Sequence, residues 1–146
     1  MSSQVTTFPG VAAARWTVGL LAVAGAAMAI WSGVIHLQLW SDGYRSIPAI
    51  GPLFLLQGIA SMLAALLVVV FRRPVLLACG AVLLAGTAAG LLLSAHVGLF
   101  GYRESLAVPY AETSLAVEFT GAALLAVGAV IALVTRPRQS VRGARP

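Results

Sequence analysis

The chain alternates long apolar stretches with short polar junctions. Apolar runs occupy Trp16–Trp40, Pro52–Phe71, Val75–Phe100 and about Ser114–Thr135. Each meets the roughly 20 residues a helix needs to cross a hydrocarbon core of about 30 Å. None shows the two-residue alternation of a transmembrane barrel strand, and in lipid every backbone N–H and C=O must be paired within its own segment. The pattern predicts an all-α integral membrane protein, a four-transmembrane-helix bundle with up-down-up-down topology.

The polar junctions repeat. One reads His36, Leu39, Trp40, then Gly43-Tyr44-Arg45 and Pro48; another reads His96, Leu99, Phe100, then Gly101-Tyr102-Arg103 and Pro109. Beyond them Gln57 aligns with Glu118, and Arg73-Pro74 with Arg136-Pro137, at an offset of about 60 residues. The chain therefore reads as two tandem parallel helical-hairpin repeats, about 16–74 and 75–137. They would be related by an axis along the membrane normal, unlike the inverted repeats of many transporters. Residues 1–15 form a short segment before the 16–135 transmembrane domain, and 136–146 a basic tail expected to be disordered.

Composition agrees with this class: 60% of the residues are hydrophobic and 9% charged. Met1–Ala14 lacks the basic region of a cleavable signal peptide, so the first run is expected to be retained. All nine basic residues are arginines, and Arg15, Arg72, Arg73, Arg136, Arg138, Arg142 and Arg145 fall at the N-terminus, the middle junction and the tail. The positive-inside rule makes that side cytoplasmic and puts both termini there. The arginine-only, alanine-rich usage suggests a bacterial cytoplasmic membrane. The net charge of +5 is juxtamembrane; it fits topology and anionic lipid, so the lipid bilayer is the expected partner and nucleic acid is not. The lone Cys79 reads as a small packing residue. No phosphate-binding glycine loop, nucleophile elbow or zinc motif is present, which argues against a hydrolase or kinase.

Candidate chemistry rests on polar residues within the spans, where they are costly and face a partner, a cavity or a ligand. His36, His96, Gln57 and Glu118 are each expected about 6 to 8 Å inside the outer end of their helices, in one layer. At 100° per residue His36 shares a face with Gly25 and Ala29, and His96 with Ala85 and Ala89; small residues mark close helix contact, so both rings are expected to point inward.

Four readings follow. The side chains form a structural layer, hydrogen-bonded to one another. Alternatively His36 and His96 are axial ligands of haem b, with Arg45 and Arg103 at the rim for its propionates. Alternatively His36, His96, Glu118 and Gln57 hold a transition metal. Alternatively Glu118 and the histidines serve a quinol or a proton-linked solute. Tyr44-Arg45 and Tyr102-Arg103-Glu104 read first as interfacial anchors, and Gly86-x-x-x-Gly90 as a close-packing seam within the bundle or between protomers. The sequence points to a non-enzymatic binding, assembly or electron-transfer component, with a second membrane protein or another copy of the chain as candidate partners.

Overall fold

A computed structural model describes residues 9–107 and 110–136. The expected tail from Pro137 onward, Met1–Phe8 and the repeat-matched Pro109 lie outside the described residues. Among the described residues the chain is all-α: α1 spans Pro9–Ser41, α2 Ile50–Phe71, α3 Pro74–His96 and α4 Ala111–Val134, with one 3-10 turn at Tyr44–Ser46. All four helices are long and apolar enough to cross a membrane. Large hydrophobic side chains such as Leu20, Ile59, Val82 and Val130 are exposed along every one of them. Such a surface is compatible with lipid rather than water, and the chain is a small four-span membrane protein.

Helix α1 packs against α2 and α4, α4 also packs against α3, and α1 and α3 lie across the diagonal. Glycines set the close approaches. A Cβ on Gly58 would stand 2.6 Å from Leu37 Cγ and one on Gly33 3.1 Å from the Gly58 carbonyl oxygen, which joins α1 to α2. Leu125 of α4 fills the notch at Gly25 of α1, where a Cβ would meet it at 2.5 Å. Lipid tails are as apolar as leucine, so van der Waals fit of this kind, not water exclusion, holds such helices together.

The α2–α3 contact is the least extensive between neighbouring helices. Only Arg72 and Arg73 separate the two. Arg72 takes the left-handed conformation (φ 46°) as the C-cap of α2, and Pro74 opens α3 where its missing N–H is no loss. Near this elbow the helices meet around Val68 and Gly80. The tightly packed apolar core lies in this half of the bundle, built from Val18, Ala22, Val68, Leu77, Leu84 and Leu125 among others. Toward the other end α2 and α3 diverge.

Two boundaries depart from the hydropathy reading. Helix α1 begins at Pro9, well before Trp16. Helix α3 ends at His96 rather than Phe100, because Gly98 takes φ +86° and returns its N–H to the Leu93 and Ser94 carbonyls. A two-residue turn follows, with Phe100 (φ 52°) and Gly101 (φ 79°) between the mutually bonded Leu99 and Tyr102.

Candidate functional site: a polar-walled cavity between the second and third helices

The divergence of α2 and α3 encloses a cavity of about 400 Å³ at the end of the bundle away from the elbow. His36, Gln57 and Glu118 all line it, from α1, α2 and α4. Gly86 and Gly90 of α3 line it too, and a Cβ on either would meet nothing within 4 Å. The Gly86–Gly90 pair is therefore not a seam between helices of this chain: the missing side chains widen the cavity. Leu53 of α2 and Val82 of α3 line it while remaining exposed on the bundle surface, so its mouth faces the bilayer between those helices.

Glu118 is 0% exposed. Ser32 Oγ and Ser114 Oγ both donate to its Oε1, each at 2.9 Å, while Oε2 is buried with no hydrogen-bond partner among the described residues. Ser114 lies one helical turn before Glu118, and Ser32 reaches it from α1. Ser32 also connects to the histidine: its carbonyl oxygen is 2.8 Å from His36 Nδ1. A carbonyl can only accept, so Nδ1 carries a proton, and in the neutral ring Nε2 is the acceptor. His36 is 7% exposed, with its ring centroid 5.0 Å from that of Phe54. Gln57 Nε2 donates to Ser61 Oγ at 3.1 Å, which leaves the amide oxygen uncommitted by that bond.

The loop end of the cavity is covered by residues from the two repeat-matched junctions, α1 to α2 and α3 to α4. Tyr44 stacks on Phe54 at 4.7 Å and meets Tyr102 edge-on at 6.0 Å. Tyr44 donates its hydroxyl to Glu104 Oε2 at 2.8 Å, and Tyr102 donates to the same carboxylate at 3.3 Å. Burial, with help from Tyr102 and Glu104, holds the Tyr44 phenol well above its usual range, so it stays a donor. The Glu104 backbone N–H in turn bonds Ser94 Oγ of α3 at 3.3 Å. Tyr44, Tyr102 and Glu104 all line the cavity, and they tie the two loops together rather than acting only as interfacial anchors.

His96 departs from its expected place. As the last residue of the shortened α3 it is exposed and absent from the cavity wall, and Ala85 and Ala89 on the same face are exposed as well. The expected single layer of four polar side chains is a cluster of three, and the two imidazoles do not face each other across the core. Arg45 and Arg103 are both exposed. Arg103 is committed to α3, donating to the Ala95 and His96 carbonyls at 3.1 and 2.8 Å, which caps the helix C-terminus. Among the described residues no group of three His, Cys, Asp or Glu side chains is placed to hold a metal ion.

Sequence reasoning passed over Ser32, Ser114, Ser94 and Phe54. The two serines that serve Glu118 and His36 carry a readable signal, since each precedes one of those residues by four positions on its own helix. The chain matches no family model, no curated protein and no solved structure.

Proposed function

We propose that this protein is a non-enzymatic binding protein of the bacterial cytoplasmic membrane, whose lateral cavity takes a bilayer-soluble molecule with a hydroxyl-bearing aromatic head, of the quinol class. The observation that carries this reading is Glu118: a carboxyl group in the cavity wall whose Oε1 receives two serine hydroxyls and whose Oε2 receives none. A purely structural polar layer would satisfy both oxygens. His36 Nε2 is an acceptor for one hydroxyl of such a head, a small side-chain rotation would bring the buried Oε2 within reach of a second, and Phe54 and Tyr44 supply aromatic surfaces for its ring. A cavity of about 400 Å³ falls within the range of about 300–1,000 Å³ common for small-molecule sites. The exposed Leu53 and Val82 at its mouth suit entry from lipid, with an apolar tail left between α2 and α3.

The arginine distribution supports a cytoplasmic location for both termini, which puts the cavity in the outer leaflet. Matched junction residues support descent from a duplicated hairpin, with one transmembrane domain over 16–135. Tyr44 with Tyr102, and Gln57 with Glu118, are matched positions that meet in the same cavity.

The test uses the full chain in lipid nanodiscs titrated with decylubiquinol, reading the shift in thermal unfolding. A saturable upward shift is expected for the wild type, since a ligand that binds only the folded state stabilises it. It should vanish in Glu118→Ala and in Gly86→Leu, which fills the cavity from the opposite wall. No shift in the wild type, or an equal shift in both variants, overturns the reading.

A further inference from the structure

At the elbow end of the bundle, remote from the cavity, lies a groove of about 940 Å³ bounded by residues from all four helices or their ends. Arg15 of α1, Arg72 and Arg73 of the elbow and Arg136 just beyond α4 line it. None of the acidic residues Asp42, Glu104, Glu112 and Glu118 does. Arg72 is held in place: its Nε donates to the Val69 carbonyl at 3.3 Å, and its Nη1 lies across α1, 3.6 Å from where a Cβ on Gly19 would stand. Arg72, in the left-handed conformation, and Arg73 follow each other in the elbow, and both line the crevice.

The groove has a second chemistry. Trp16, Leu20 and Val23 line it along α1 over about 10 Å, continuing toward the bundle centre past the level of Gly19 that the Arg72 guanidinium reaches, and all three are exposed. Guanidinium groups alone fit any phosphate, through paired N–H donors. Guanidinium groups above an apolar strip fit a phosphate that carries an acyl chain. We propose that this groove is a binding site for an anionic phospholipid, with its phosphate among Arg15, Arg72, Arg73 and Arg136 and one acyl chain along Trp16, Leu20 and Val23.

The test is native mass spectrometry of the delipidated full chain titrated with dioleoylphosphatidylglycerol or dioleoylphosphatidylcholine. Preferential retention of the anionic lipid is expected, falling about fivefold for each arginine removed in Arg72→Gln and Arg73→Gln. Arg45→Gln, at the opposite end, should leave it unchanged. Arg15→Gln with Arg136→Gln provides a second variant away from the elbow, should the elbow substitutions unfold the chain; it should lose the preference as well. Leu20→Ser should weaken lipid binding while leaving the direct binding of glycerol phosphate unaltered. Equal retention of the two lipids by the wild type, an undiminished preference in the arginine variants, or full displacement of the lipid by an equal concentration of inorganic phosphate overturns the proposal. None of these readouts touches Glu118, so the result is independent of the cavity.

Discussion

At the scale of single residues, the two oxygens of Glu118 stand in different surroundings. Its Oε1 gathers Ser32 from α1 and Ser114 from its own helix; its Oε2 faces no partner among the described residues. Glu118→Gln separates them, because the amide oxygen still accepts both serine hydroxyls while an NH₂ group takes the place of Oε2. Thermal unfolding should move by less than about 1 kcal/mol equivalent, whereas quinol affinity should fall by about tenfold or more, the loss of a hydrogen bond to an acidic group. Ser32→Ala should behave in the opposite way, costing about 1 kcal/mol of stability by removing a buried interhelical bond. Paired unfolding and titration curves check both, and unchanged affinity in Glu118→Gln would remove Oε2 from the binding reading. Glu118, Gln57 and His36 were legible in the sequence as polar residues within apolar runs. The unequal use of the two carboxylate oxygens was not, since it depends on which neighbour rotates into reach.

At the scale of elements, hydropathy located all four helices but misjudged the end of α3. Val97, Leu99 and Phe100 continue the apolar character past His96, and only Gly98 and Gly101 mark the turn that the backbone makes. That displacement carried His96 from a buried layer to an exposed helix end. Its partner in the alignment, His36, keeps more of its helix beyond it, because α1 runs on to Ser41. Glycine patterns were ambiguous for a related reason: Gly86-x-x-x-Gly90 has the spacing of a packing seam, yet Gly33 and Gly58 hold the seam and the Gly86 pair opens a cavity. The difference is measurable with alanine. A Cβ at position 58 collides with Leu37 at 2.6 Å, so Gly58→Ala should cost about 1–3 kcal/mol through overpacking. A Cβ at position 86 meets nothing within 4 Å, so Gly86→Ala should be neutral or stabilise by up to about 1 kcal/mol through helix propensity. Unfolding of the two variants in detergent distinguishes the positions; equal destabilisation would mean that Gly86 also packs against a neighbour.

At the scale of the whole molecule the two ends are chemically opposite. One end gathers Arg15, Arg72, Arg73 and Arg136 around a tight elbow and a packed core. The other holds the aromatic, carboxylate-bearing cover formed by Tyr44, Tyr102 and Glu104 over a cavity. Arginine near a span resists translocation, whereas acidic residues contribute little to orientation. The elbow end should therefore face the cytoplasm, and the cavity should open into the outer leaflet. Single cysteines test this in a Cys79→Ser background. Ser46→Cys lies in the exposed loop before α2, and Thr135→Cys is exposed just past α4, so both positions can meet a reagent. A membrane-impermeant maleimide added to intact bacterial cells should label Ser46→Cys at once and Thr135→Cys only after permeabilisation. The reverse pattern would move the cavity to the inner leaflet and the arginine groove to the outer one. The groove would then meet the leaflet without the cytoplasmic excess of anionic lipid, while Glu118 and its cavity would remain open to molecules dissolved in the bilayer.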